Sequence, residues 1–176
     1  MGFFILTTDY QLKMNEQLRL KLSLELVWWL VTALIVLAVM FPMLRIFKSY
    51  PFLWSNVAFI VIFVTFSRYI LLLKNTFLAR LTWLKVLLIA ICIPLVFNLI
   101  STFYAFQIFI DEEGTQSLFS LQYLREQVPL LNQESMANYI RTETIFFAVG
   151  SIITTILMPI RMIRSIWRTY NTEDRV

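Results

Sequence analysis

The chain has 176 residues, 59% of them hydrophobic and 16% aromatic, with a mean hydropathy of +0.73 and a formal charge of +4. Charged residues make up 15%, against roughly 25% in an average soluble domain, so an ordinary soluble globular domain is excluded. Three Gly and five Pro exclude a low-complexity disordered chain, and the composition predicts an all-α integral membrane protein.

Residues 1–25 form the first segment. Leu18, Leu20, Leu22, Leu24 and Leu26 alternate with Gln17, Arg19, Lys21, Ser23 and Glu25. Period two suggests a strand, but Leu, Lys, Arg and Glu are good helix formers and the stretch runs straight into an apolar segment. An interfacial helix leading into the membrane is expected. No signal peptide is read here, because the first apolar run lacks a small-residue cleavage site.

Four spans follow. A transmembrane helix needs about 20 mostly apolar residues. Residues 26–43 give the first, with Pro42 at its far end, and 52–73 give the second, closed by Lys74. Residues 81–110 give the third, with Pro94 inside. This run is long for one upright crossing, so it should tilt, kink or protrude. Residues 144–160 give the fourth, closed by Arg161, with helix able to continue at either end.

Between spans three and four lies a segment of 33 residues, 111–143, carrying six acids and two Arg. Ser117 to Gln127 reads as a short amphipathic helix with Leu118, Leu121, Leu124 and Val128 on one side, a candidate partner contact. Pro129 would end it, and Asn132 reads as the N-cap of a further helix that continues toward the fourth span. A helical extracytoplasmic cap is expected. Residues 161–176 form a basic tail in which Arg161, Arg164 and Arg168 share a helical face suited to anionic lipid. Nucleic acid is not needed to explain the basic balance.

Orientation follows from Lys and Arg. An even number of spans puts both termini on one side, with Lys13, Arg19, Lys21, Arg68, Lys74, Arg80, Lys85, Arg161, Arg164, Arg168 and Arg175. The other side holds Arg45, Lys48, Arg125 and Arg141. The positive-inside rule then predicts cytoplasmic termini, and the cell inner membrane of a bacterium is the expected location. The Trp residues 28, 29, 54, 83 and 167 fall near the span ends, as interfacial anchors do.

The available chemistry is narrow. There is no His and a single Cys, Cys92, inside an apolar run. No cofactor and no metal are expected, and Asp111-Glu112-Glu113 reads as a solvated acidic turn. Arg68, inside the second span, is the first candidate for a functional group. Glu25 and Lys85 enter the membrane at a similar depth, so a Glu25–Arg68 ion pair is expected, or Glu25–Lys85 if helix rotation favours it. Asn98 should hydrogen-bond between helices, and Gly150, Ser151 and Thr154 make a small polar strip for close helix packing. The four-span layout resembles that of tetraspanins, but the cysteine motifs of that family are absent and the resemblance ends at layout.

These features point to a non-enzymatic accessory or scaffold subunit of a larger membrane assembly, its partners being the lipid bilayer and other membrane subunits or itself. The alternatives are a small oligomeric transporter or channel using Glu25 and Arg68, and a lipid-modifying enzyme using the outer acids.

Overall fold

The computed structural model describes residues 2–46, 50–73, 76–79, 81–114 and 130–173. All elements among them are helical: α1 (Gly2–Ile46), α2 (Leu53–Leu72), a short 3₁₀ turn (Phe77–Ala79), α3 (Thr82–Glu113) and α4 (Leu130–Glu173). Four stretches are long and apolar enough to cross a membrane: Leu22–Arg45, Leu53–Leu72, Thr82–Glu113 and Glu134–Asn171.

The helices extend beyond the apolar runs. At about 1.5 Å per residue, α2 is about 30 Å long, α3 about 48 Å, and α1 and α4 about 66 Å each. The alternating leucine stretch is part of α1, with no break before the first span. Asn132 lies inside α4 rather than at its N-cap, because the helix already begins at Leu130. Residues 111–113 complete α3, and Gly114 ends it at φ 76° while its N–H reaches Ile110 O at 3.1 Å. The acids Asp111, Glu112 and Glu113 are exposed there. Leu118, Leu121, Leu124 and Val128 lie outside the described residues.

The distribution of side chains is inverted relative to a soluble bundle. In a helix, residues two apart point to nearly opposite sides, so Leu20, Leu22, Leu24 and Leu26 splay outward while Glu25 turns in. Trp29, Trp54, Trp83 and Trp167 are exposed, as are Leu34, Leu37, Ile91, Ile93 and Phe97. The buried set includes Asn56, Arg68, Lys85, Glu143, Ser151 and Thr155. Apolar outside and polar groups paired inside is the arrangement that hydrocarbon, rather than water, selects.

Helix α4 is the spine and packs on α2 and α3, while α1 packs mainly on α2. Three apolar layers run along the bundle. At the α1–α2 loop end sit Met40, Met43, Tyr50, Ile60, Phe106 and Ile140. Phe59, Leu99 and Ala148 fill the middle. Tyr69, Leu73, Leu78, Cys92, Met158 and Met162 close the α2–α3 loop end. Because lipid tails are as apolar as these side chains, the layers contribute dispersion contacts, and the buried polar pairs supply the helix register.

Candidate functional site

Two buried polar sites lie at opposite ends of α2. Asn56 is at one end and Arg68 at the other, 12 residues apart or about 18 Å of helix rise. The residues between them are apolar except Thr65 and Ser67.

At the α2–α3 loop end, Arg68 Nη1 donates to Glu25 Oε2 at 2.7 Å, and both side chains are buried. The guanidinium also lies over two rings, 5.4 Å from the Trp28 centroid and 5.3 Å from that of Tyr69. Trp28 is one helical turn beyond Glu25, so α1 presents carboxylate and indole to the same cation. A flat, weakly hydrated guanidinium suits this setting, since its edge pairs with the carboxylate while its face stacks. Glu25 Oε1 and Arg68 Nε make no hydrogen bond among the described residues.

Lys85 does not join Glu25. Its Nζ donates to Ala79 O at 2.7 Å and Ser165 Oγ at 3.1 Å, tying the 3₁₀ turn to α4. Arg161, read from sequence as lipid-facing, instead donates from Nε to Ile70 O at 3.0 Å. That carbonyl is among the last of α2, which have no N–H partner within their own helix. Arg164 and Arg168 stay exposed.

At the other end, Asn56 is fully buried and its Nδ2 donates to Glu143 Oε2 at 3.1 Å. Thr144 Oγ1 donates to the same oxygen at 3.4 Å. Burial pushes the phenol of Tyr50 above its ordinary range and keeps it protonated, and Thr144 and Asn56 lie within its hydrogen-bonding reach. Glu143 Oε1 and Asn56 Oδ1 have no partner among the described residues. This cluster is not evident in the chain's pattern. Glu143 looks like one more acid of the outer segment, although it directly precedes the apolar run that starts at Thr144. Asn56 sits three residues into α2, where a lone amide is an available signal.

The remaining candidates divide. Asn98 is exposed on the outward face of α3 and not between helices, while its carbonyl accepts from Thr102 Oγ1 at 2.8 Å. Ser151 donates to Ala148 O, Thr154 to Gly150 O and Thr155 to Ser151 O. Their hydroxyls are therefore occupied by the backbone of their own helix. Gly150 does serve close approach, since a Cβ built there would stand 2.8 Å from Phe63 Cδ2. Tyr139 Oη donates to Val39 O at 2.8 Å and pins α4 to α1. An open depression of about 190 Å³ between α3 and α4 is lined by Phe106, Gln107, Ile110, Asp111, Arg141 and Ile145. Among the described residues no cluster of three His, Cys, Asp or Glu is placed to hold a metal ion.

Together the helices and their inward polar groups define a multi-pass, all-helical membrane protein. No protein-family model, curated protein or solved structure matches the chain.

Proposed function

We propose that this protein is a non-enzymatic accessory or scaffold subunit of a larger membrane assembly. In this reading it lies in the bacterial inner membrane with both termini cytoplasmic, as the Lys and Arg distribution favours. One observation carries the subunit role: Asn98 presents an exposed amide in the middle of the outward face of α3, flanked by the exposed Phe97 and Ile100 and one turn from the exposed Ser101. In hydrocarbon an amide without a partner is costly, and a neighbouring transmembrane helix supplies the natural donor and acceptor.

A small transporter or channel built on Glu25 and Arg68 is the second reading, favoured by the buried polar sites at both ends of α2. Against it, Phe59, Ile60 and Phe63 fill α2 between those sites, and the α4 hydroxyls are occupied by backbone. That leaves no connected polar path along the α2–α4 interface.

Native mass spectrometry after extraction in mild detergent tests the proposal. The expected result is a stoichiometric complex with another membrane protein that dissociates in Asn98→Leu, while the variant itself remains folded. A homo-oligomer that moves ions or solutes after reconstitution would replace this reading with the second.

A further inference from the structure

The Asn56–Glu143 contact contains an unbalanced set of atoms. The Asn56 amide meets the Glu143 carboxyl through one pair, Nδ2–H to Oε2 at 3.1 Å. The other two atoms, Oδ1 of Asn56 and Oε1 of Glu143, are buried and without partners among the described residues. Both are acceptors when the carboxyl is ionised, so neither can satisfy the other. Adding one proton to Oε1 changes this. The acid O–H would then be a donor for Oδ1 while the amide N–H donates to Oε2, a two-bond ring that would pair both atoms.

We propose that Glu143 is a buried proton-binding site, its carboxylic acid held neutral at physiological pH by reciprocal hydrogen bonding to the Asn56 amide. This goes beyond the subunit role and does not depend on it.

The surroundings favour the neutral form. Ile140 and Phe147, one turn to either side of Glu143 on α4, pack in the apolar layer with Met40 and Met43 of α1 and Phe106 and Ile110 of α3. Tyr50, ahead of α2, and Tyr139, one turn before Glu143, are the neighbouring titratable groups and carry no charge at neutral pH. Asp111 of α3 and Arg141 of α4 are charged but exposed along the open depression. No Lys or Arg among the described residues forms a salt bridge with Glu143. A carboxylate in such a layer with no cation partner, helped only by the Asn56 and Thr144 donors on Oε2, is costly, and taking up a proton relieves it.

The carboxyl–amide ring makes a distinctive prediction for Glu143→Gln. A glutamine carbonyl accepts from Asn56 Nδ2, and its amide N–H donates to Asn56 Oδ1, which reproduces the ring without a titrating proton. The experiment is thermal unfolding of the full chain in detergent across pH, with infrared spectroscopy of the same samples. Because the neutral acid is the form favoured by folding, stability from this site is present at low pH and lost as pH rises. Between the pH at which the unfolded chain's carboxyl ionises and the pH at which the folded one does, the wild-type midpoint should fall by roughly 3–5 °C per pH unit relative to Glu143→Gln, and above that window the difference should stay level. The variant should match the wild type at the acid end. At neutral pH the wild type should show a carboxylic-acid C=O band that is missing from Glu143→Gln. The proposal is overturned if that band is absent from the wild type. It is equally overturned if Glu143→Gln is less stable at every pH, or if sodium chloride at fixed pH raises the wild-type midpoint but not the variant's, since a cation would then be the occupant.

Discussion

Arg68 and Glu25, 43 residues apart in the chain, meet through a 2.7 Å Nη1–Oε2 contact, and neither side chain keeps as much as a tenth of its surface exposed. The pair joins α1 to α2, an interface that otherwise consists mainly of apolar side chains with many alternative packings. Breaking a buried pair by removing one partner strands the other charge, whereas replacing both with apolar groups of similar volume is often neutral. Glu25→Leu and Arg68→Met should each destabilise by about 3–5 kcal/mol, and the double variant should recover most of that loss. Denaturant titration in micelles measures all three. If both singles and the double variant lie near wild type, the pair is not holding α1 against α2.

Gly150 predicts a steric effect. Its missing Cβ leaves room for Phe63, whose ring is held edge-on by Phe146 and Phe147, with centroid separations of 5.8 Å for each. A caged ring cannot easily tilt away, so Gly150→Ala should cost about 1–3 kcal/mol by overpacking. Combining it with Phe63→Leu should restore much of the loss, and the coupling is read from a double-mutant cycle of unfolding midpoints.

Lys85 is a second buried cation with a different task. Its ammonium satisfies the Ala79 carbonyl and the Ser165 hydroxyl. Lys85→Met keeps the apolar stem and removes both bonds, leaving a buried acceptor unpaired at a cost of about 1–3 kcal/mol. The expected outcome is local, with faster proteolytic cleavage between α2 and α3 and little change at the other end of the bundle. Unchanged cleavage would show that the turn does not need this clasp.

The two asparagines make a paired prediction. Asn56→Leu removes a buried donor to Glu143 and should lower the unfolding midpoint. Asn98→Leu alters an exposed side chain and should leave the isolated chain's midpoint within about 0.5 kcal/mol of wild type. Equal losses from both would mean that α3 faces its neighbours with the Asn98 side.

The number and approximate extent of the membrane-crossing stretches were legible in the sequence, because hydrocarbon demands about 20 apolar residues in a row and the runs at 26–43 and 52–73 meet that demand directly. The rotation of each helix about its axis was not. An apolar helix has no hydrophilic face to betray which side looks inward, so Asn98 and Asn56 read alike in the sequence and face opposite environments in the fold. For the same reason Glu25 could be matched with a cation but not uniquely with Arg68. Helix continuing beyond the apolar runs of α1 and α4 was expected, from the helix formers before Leu26 and the segment after Asn132, but the exact ends carry no hydropathy signal. Glu143 was hidden by position, since an acid at the edge of a span resembles the solvent-facing acids before it.

Helix α4 has a consequence for how this molecule can be handled. A hydrocarbon layer is about 30 Å thick and the helix is about 66 Å long, so roughly half of the rod must emerge from the oil. Those emergent turns are continuous with the spine and, like the part of α1 that also outruns the hydrocarbon, they offer grips outside the oil. A synthetic binder or fused rigid domain attached there would move with the bundle itself, giving a small target the mass and orientation cues that single-particle imaging requires.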